Sequence, residues 1–408
     1  MLRRTLVGLM LATALTAQIT SFALADDVTI KYMTFSAAPN YLKELDATVA
    51  AFEASHPGIK VQVETQSWDA YFTKLQTVVA ANQAPDAFEL NYENFVTYAD
   101  KGALADLTPM LGDGAAAYNP TALAAFAQDG KQLGLVESFS NVVFFYNKDL
   151  FDAAGVAYPT ADWTWTDELA AAQKLTGNGV WGDFAPIQFW EFYKTIAQNG
   201  GAILSPDKKT VTIDSPQNVE TLQWMIDKVN KYKVTPSDID MAGQSSEDLF
   251  KAGKIAMLRT GIWLLGDFTE NAKFNWDIAL EPGKTNKAHH FFSNGVAVSA
   301  KSAHPAEAYE WVKFLTSSPE AVAIRVKAGW ELPAVSDPAA VQAYLDQPVP
   351  EHREVVFQAL DTAVVPPVIG NWNQLTDAVG KELDAAKLGQ KTPEQALKDA
   401  RTAIEALL

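Results

Sequence analysis

The 408-residue chain contains no cysteine. That absence removes disulfides, thiolate catalysis, iron–sulfur clusters and cysteine-based zinc sites together. It also means that the chain is not expected to be a lipid-anchored bacterial lipoprotein. Basic residues are few: 32 Lys and Arg stand against 49 Asp and Glu, a net charge of −17, and no basic cluster occurs. Neutralising phosphates takes clustered Lys or Arg, so no nucleic-acid partner is expected. The same balance argues against docking on anionic lipid. No stretch beyond the first 25 residues approaches 18 apolar residues in a row, so the mature chain is expected to be soluble.

Apolar residues are plentiful, at 48%, which excludes wholesale disorder and leaves ample material for packed cores. At about 150 residues per domain, the length predicts two domains. Residues 1–25 differ in kind: Arg3 and Arg4 precede a mostly apolar run from Leu6 to Leu15, and Ala23-Leu24-Ala25 offers a small-x-small cleavage site. This reads as a secretory signal peptide, too short in its apolar part to span a bilayer. Its removal leaves 30 basic against 49 acidic residues, a net charge of −19, and the expected compartment is the bacterial periplasm.

Hydrophobic periodicity then sets the fold class. Val28 to Tyr32 alternates as a half-buried strand does, and Leu42, Leu45, Val49 and Phe52 recur at helical spacing until His56-Pro57-Gly58 stops them. Ile59 to Glu64 alternates again, a second helix is expected from Asp69 to Asn82, and Ala87-Phe88-Glu89-Leu90 reads as a buried strand. This β-α-β-α-β order predicts a largely parallel, doubly wound sheet. Later strands are expected at Val142–Tyr146, Lys254–Leu258 and Phe291–Ser299. Thr164 and Asp167 have capping-box spacing and open an alanine-rich helix that ends near Thr176. Further helices are expected over 216–231, 306–315, 319–327, 374–387 and 393–407. No repeat or long linker occurs, so two lobes must be joined by short crossovers.

Most catalytic motifs fail on context. Gly177 to Gly182 spells GxGxxG, yet it follows a helix instead of a strand, so a helix C-cap with a tight turn is the better reading. A Walker A loop ending at Gly283-Lys284-Thr285 would need glycine where Ile278 stands. His289-His290 would point to opposite faces of a strand and cannot easily share a metal, which predicts a surface or loop role. With 49 acids, a glycosidase carboxylate pair remains open, but a solvated acidic surface accounts for them.

The conspicuous feature is eleven tryptophans. Trp165, Trp224 and Trp311 sit on helical stripes and read as core. Trp68, Trp190, Trp263, Trp330 and Trp372 lie near glycines or at element ends, where an indole could line a cleft. Sugars offer C–H patches that stack on an indole and hydroxyl rims that bond Asn, Gln, Asp and Glu.

Several runs together resemble the substrate-binding proteins of bacterial carbohydrate ABC importers, the family that includes maltose-binding protein. They are Phe52 to Val63, Ala84-Pro85-Asp86, Lys101 to Leu107, Tyr146 to Phe151, Thr164 to Leu169, Phe250 to Met257 and Thr392 to Leu397, in the family's order across nearly the whole mature chain. The resemblance implies two α/β lobes, each a mostly parallel sheet flanked by helices, joined by a multi-strand hinge and closing on a sugar. Carried over by position, the N-terminal lobe spans 26–138 plus 292–338, and the C-terminal lobe 139–291 plus 339–408. It also implies pocket residues: Trp263, Trp190, Trp372 and Trp330 as aromatic contacts, Trp68 at the start of a cleft helix, and Tyr92 and Glu93 as polar contacts. Asn141 and Asn294-Gly295 would occupy the crossovers. Relatives that bind phosphorylated glycerol carry an arginine toward the C-terminus, and Val365 to Trp372 has none, although Arg259, helix N-termini or backbone amides could still hold an anion.

The expected function is a non-catalytic periplasmic receptor, a monomer without cofactor or metal, that closes on a neutral saccharide and delivers it to ABC permease subunits. The alternatives are a secreted glycoside hydrolase using Glu93 or Glu137, and a binding protein for a polyol, sulfonated sugar or polyamine. An acidic cleft would mark the polyamine case.

Overall fold

The computed structural model describes residues 27–329 and 331–408, leaving aside the side chains at 39, 40 and 121. The proposed leader and Trp330 therefore lie outside the described residues. The strands that build the molecule are β1 (Val28–Thr34), β2 (Ile59–Thr65), β3 (Ala87–Asn91), β4 (Leu135–Ser140), β5 (Val142–Asn147), β6 (Met257–Gly261), β7 (Trp276–Ala279), β8 (Phe292–Val298) and β9 (Leu332–Pro333). The helices used below are α1 (Pro39–Ser55), α2 (Trp68–Ala80), α3 (Tyr92–Asp100), α4 (Trp165–Leu175), α5 (Phe189–Gln198), α6 (Pro216–Asn230), α7 (Leu265–Asn271), α8 (Pro305–Ser317), α9 (Pro319–Ala328), α10 (Trp372–Lys387) and α11 (Pro393–Glu405).

Six strands form the first sheet in the order β9-β4-β8-β3-β1-β2, and three form the second in the order β6-β5-β7. The first sheet buries Ile30, Tyr32, Phe88 and Val296 beneath helices that contribute Phe52, Tyr71, Leu75 and Trp311. Each such side chain contributes about 1.5–3 kcal/mol on leaving water. In the second lobe Phe144 and Phe145 alternate across β5, so each feeds a different core, and a further core forms between α5, α6, α10 and α11. Helix α9 serves both lobes: Ala321 packs into the first core, and Val322 and Val326 into the core of the second sheet.

The strands pair differently from the parallel arrangement expected. Pairing is parallel for β1 with β2 and with β3, but β8 runs antiparallel to both β3 and β4, and β9 antiparallel to β4. Chain direction explains this. β8 enters the first lobe from the crossover at Phe292 and can only run away from it, opposed to the strands that run toward it. β5 likewise starts at the first crossover, and both its pairings are antiparallel.

Local signals mostly act as their chemistry dictates. The Thr164 side chain accepts from the Asp167 N–H while the Asp167 carboxylate takes the Thr164 N–H, a complete capping box opening α4. Thr164→Ala is expected to lower the unfolding free energy by about 1 kcal/mol, read as a lower urea midpoint at unchanged slope. The GxGxxG run is a tight turn after α4: Gly177 and Val180 exchange backbone hydrogen bonds, and Asn178 and Gly179 take positive φ of 51° and 82°. The strand expected at 254–258 pairs with β5 only from Met257, because Ile255 bridges Trp181 instead.

Candidate functional site

The directions of the strands bring their polar ends to one seam. β1, β3 and β4 finish there at Thr34, Asn91 and Ser140, and β8 starts there at Phe292. From the other lobe, β5 starts at Val142 opposite Gly261, the end of β6. Open α/β sheets take ligands at such carboxyl ends, where backbone groups have left the ladder. Asn141 spans the first crossover fully buried; its Nδ2 donates to the Val356 carbonyl at 2.7 Å and its own carbonyl accepts from the Ile262 N–H at 3.1 Å. Asn294 faces Asn91 across the sheet and donates to Glu331 at 3.4 Å. At Gly295 a Cβ would come within 2.7 Å of the Phe126 ring, so that position is filled by packing.

On the second-lobe side, aromatic rings form a continuous run. Trp190, in the first turn of α5, lies 5.9 Å from Trp372, the first residue of α10, and 5.6 Å from Phe292. Phe292 lies 6.0 Å from Trp263, whose ring covers Gly261 so closely that a Cβ there would be 2.1 Å away. Trp190, Phe292 and Trp263 are half-buried, whereas Trp372 is only 2% exposed beneath Phe189 and Trp190. Three of the tryptophans singled out from the sequence are thus brought together. Trp68 stands apart on the first lobe, 44% exposed, edge-on to Phe35 and Phe72.

The first-lobe side is polar. Glu89 accepts from Thr34 and Ser36, Ser138 donates to Glu331, and Arg325 is paired to Glu137. Burial, reinforced by Glu137, pushes the Glu89 carboxyl well above the usual range, and burial raises Glu331 too. Glu93 is 1% exposed on α3; Asn91 donates to one of its oxygens at 2.5 Å, the other has no hydrogen-bond partner, and burial lifts its pKa to about 7. Beside it, Tyr92 and Val96 pack against the core of α5 and α10, so α3 joins the lobes on this flank. On the other flank, the Tyr41 hydroxyl of α1 donates to the Trp263 carbonyl.

Sequence reasoning missed Phe292, Glu89, Glu331 and Arg325. Glu89 had a signal, a lone charge inside the apolar run 87–90. Glu331 and Arg325 had none, because their partners lie up to 193 positions away.

Behind α5 lies a buried ion network. Arg259 of β6 pairs with Glu168 and, at 3.3 Å and 3.1 Å, with Asp183 and Glu281; Lys228 holds Glu168 and Asp183 at 3.1 Å and 2.6 Å, and Lys194 holds Glu281 and Glu191. Arg259 is therefore enclosed by carboxylates and cannot serve as the anion receptor considered from the sequence. The histidine pair also differs from the surface role expected: both rings are buried, His289 accepting from the Glu281 N–H at 3.0 Å and His290 donating to the Trp190 carbonyl at 2.6 Å. Burial holds them neutral, at about 3 and 4. One metal-capable group exists among the described residues, Asp277 with Glu351 and His352, but His352 already bonds Asp277 at 2.7 Å and Lys148 sits 3.3 Å from Glu351.

The sequence profile described as bacterial extracellular solute-binding protein matches residues 38–322. An ABC substrate-binding protein of Listeria monocytogenes, solved in complex with cycloalternan, is 49% identical; the match covers 94% of this chain and 99% of that one, with a TM-score of 0.90. The GacH receptor of Streptomyces glaucescens, solved unliganded and with acarbose, is 24% identical over 94% of this chain and 98% of its own, with a TM-score of 0.84, a likeness of fold. A maltooligosaccharide ABC transporter solute-binding lipoprotein of Streptococcus pneumoniae is 24% identical over 92% of this chain and 88% of its own length.

Proposed function

The chain belongs to the bacterial extracellular solute-binding proteins, and from that premise we propose that it captures a neutral saccharide between its two lobes and presents it to the permease of an ABC importer. The observation that carries this reading is the pairing, across one seam, of half-buried indoles with a row of hydrogen-bond acceptors. Trp190 and Trp263 flank Phe292 on one side, and Glu89, Glu331 and Asn294 line the strand ends on the other. A sugar ring meets both demands, with C–H faces for the indoles and hydroxyl donors for the carboxyls. Trp372 backs this run from beneath Trp190 and Tyr92 packs against its helices, while Asn141 holds the first crossover; Trp68, apart on the first lobe, and the enclosed Glu93 and Gly295 are left out of the contact set. The cycloalternan-bound relative makes that saccharide the first ligand to try.

The lobes are assigned as 26–138 plus 292–338 and 139–291 plus 339–408; the two separate sheets support this division, with the end of β4 at Phe139 and Ser140 running into the crossover. No described helix is long and apolar enough to cross a membrane. Residues 1–25 are assigned as the leader that takes the chain to the periplasm. Capture is read as proceeding without turnover: of the two carboxyls named for the hydrolase reading, Glu137 is buried against Arg325, and Glu93 is 1% exposed on the helix that packs against α5 and α10.

A second reading has an observation in its favour. Glu44, Glu89, Glu137 and Glu331 gather around Arg325, a largely buried acidic cluster at the seam that would also suit a polyamine. A thermal melt separates the two. Ligand at about 100 times its Kd adds about 2.7 kcal/mol to the folded state, a rise of a few degrees for a chain of this size. Cycloalternan is expected to raise the melting temperature and to be recovered intact, and glucuronate and spermidine to leave it unmoved. A shift with spermidine alone would transfer the assignment to the cation.

A further inference from the structure

We propose that closing the lobes takes up protons, because the seam buries the Glu93 carboxyl on one flank and half-buries the Glu44 carboxyl beside the Tyr41–Trp263 contact on the other, so that capture tightens as the medium acidifies. This rests on the reading of the seam as the capture site and adds its regulation.

The two flanks supply independent observations. On the first, α3 of one lobe is covered by α5 and α10 of the other, with Tyr92 and Val96 at the contact. Glu93 lies within that cover, one oxygen bonded to Asn91 and the other without a hydrogen-bond partner. The group facing it from α5 is the Tyr193 hydroxyl, and no charged group of β8 or α10 acts on it among the described residues. A bare carboxylate so enclosed loses its hydration and gains no cation in return. On the second flank, α1 of the first lobe meets the turn that leads into α7 of the other, where the Tyr41 hydroxyl reaches the Trp263 carbonyl. Glu44, one turn along from Tyr41, has a buried oxygen without a hydrogen-bond partner. Arg325 from α9 and its helix neighbour Lys43 favour its charge; Glu270 from α7 opposes it, and Asp267 of α7 bears on Tyr41 in the same sense.

Both carboxyls are raised to about 7 in this arrangement, in which the lobes touch on both flanks, burial being the first cause in each. In separated lobes both would meet water and return toward the ordinary carboxylate range. The closed form therefore binds more protons than the open one. Its advantage is fully present below the open-state pKa and fades as pH rises through about 7, by up to about tenfold per pH unit for each group.

The test uses the mature chain, titrated calorimetrically with cycloalternan at pH 5.5, 7 and 8.5 in two buffers of different protonation enthalpy. Small-angle scattering of the ligand-free protein over the same range is measured alongside. Wild-type affinity is expected to fall at least about tenfold from pH 5.5 to 8.5, with net proton uptake near pH 7. The E44Q/E93Q double variant should strongly reduce both effects, any remainder falling to Glu89 and Glu331, and E44Q alone should shrink them if the double variant does not fold. A pH-independent wild type, or a dependence that survives undiminished in the variants, overturns the proposal. Should no saccharide bind at any pH, the scattering decides. A wild-type radius of gyration that shrinks on acidification, and does not in the variants, upholds proton-coupled closure while the saccharide reading falls. An unchanged radius removes both.

Discussion

Replacing Trp190 with alanine is expected to weaken saccharide binding by about 100-fold, roughly 2.7 kcal/mol, while the protein stays folded. The size of the effect follows from position. Trp190 is the ring through which Trp372 and Phe292 connect, at 5.9 Å and 5.6 Å, so its removal breaks the run in the middle. Trimming it also uncovers Trp372, which would then face water in place of an apolar neighbour. The fold should survive, because the hydrogen bond from His290 ends on the backbone carbonyl of residue 190, which alanine keeps. Calorimetric titration with cycloalternan beside a urea melt separates the two quantities. Affinity within threefold of wild type would remove Trp190 from the site and with it the aromatic half of the assignment.

How much of this was legible in the sequence depends on how local each signal is. Helices and their ends were readable because the information lies within four residues: the capping box at Thr164 and the turn at Gly177 both rest on near neighbours. Strands were readable by alternation, but their directions were not, since β8 runs against β3 only because of where a crossover enters the lobe. The indoles of Trp190, Trp263 and Trp372 stood out by residue type and by place in the chain, although nothing local says that Phe292 links them. The acceptor side was nearly silent. Glu89 is visible as a charge within an apolar strand, whereas Glu331 and Arg325 acquire their roles from residues nearly half the chain away. His289 and His290 misled for a related reason: adjacent residues on a strand do face apart, but here the two-residue strand is covered on both sides.

The other large effect is expected on stability. Arg259→Met should cost about 3–5 kcal/mol, because it leaves Glu168, Asp183, Glu191 and Glu281 buried with only two lysines among them. Methionine fills the aliphatic volume of arginine, so what is lost is charge and hydrogen bonding rather than packing. The pH dependence should reveal the cause. In the native protein Glu168 is held at about 2, its burial outweighed by Arg259 and Lys228. A depressed folded pKa contributes stability above the unfolded value of about 4.5 and loses it only as pH falls toward 2. Without the guanidinium, Glu168 joins the groups whose folded pKa is raised, as Glu281 already is at about 7. Groups of that kind favour the fold at low pH and withdraw their support as pH rises through the folded value. The variant's urea midpoint should therefore recover on going from pH 8 to 5.5, against a smaller change in the wild type. A uniform loss at every pH would point instead to faulty packing. The same network fixes α5 through Lys194 and Glu191, one residue from Trp190. Whatever saccharide affinity Arg259→Met forfeits should thus appear in dissociation rather than in association, as a platform that is still present but no longer held in place.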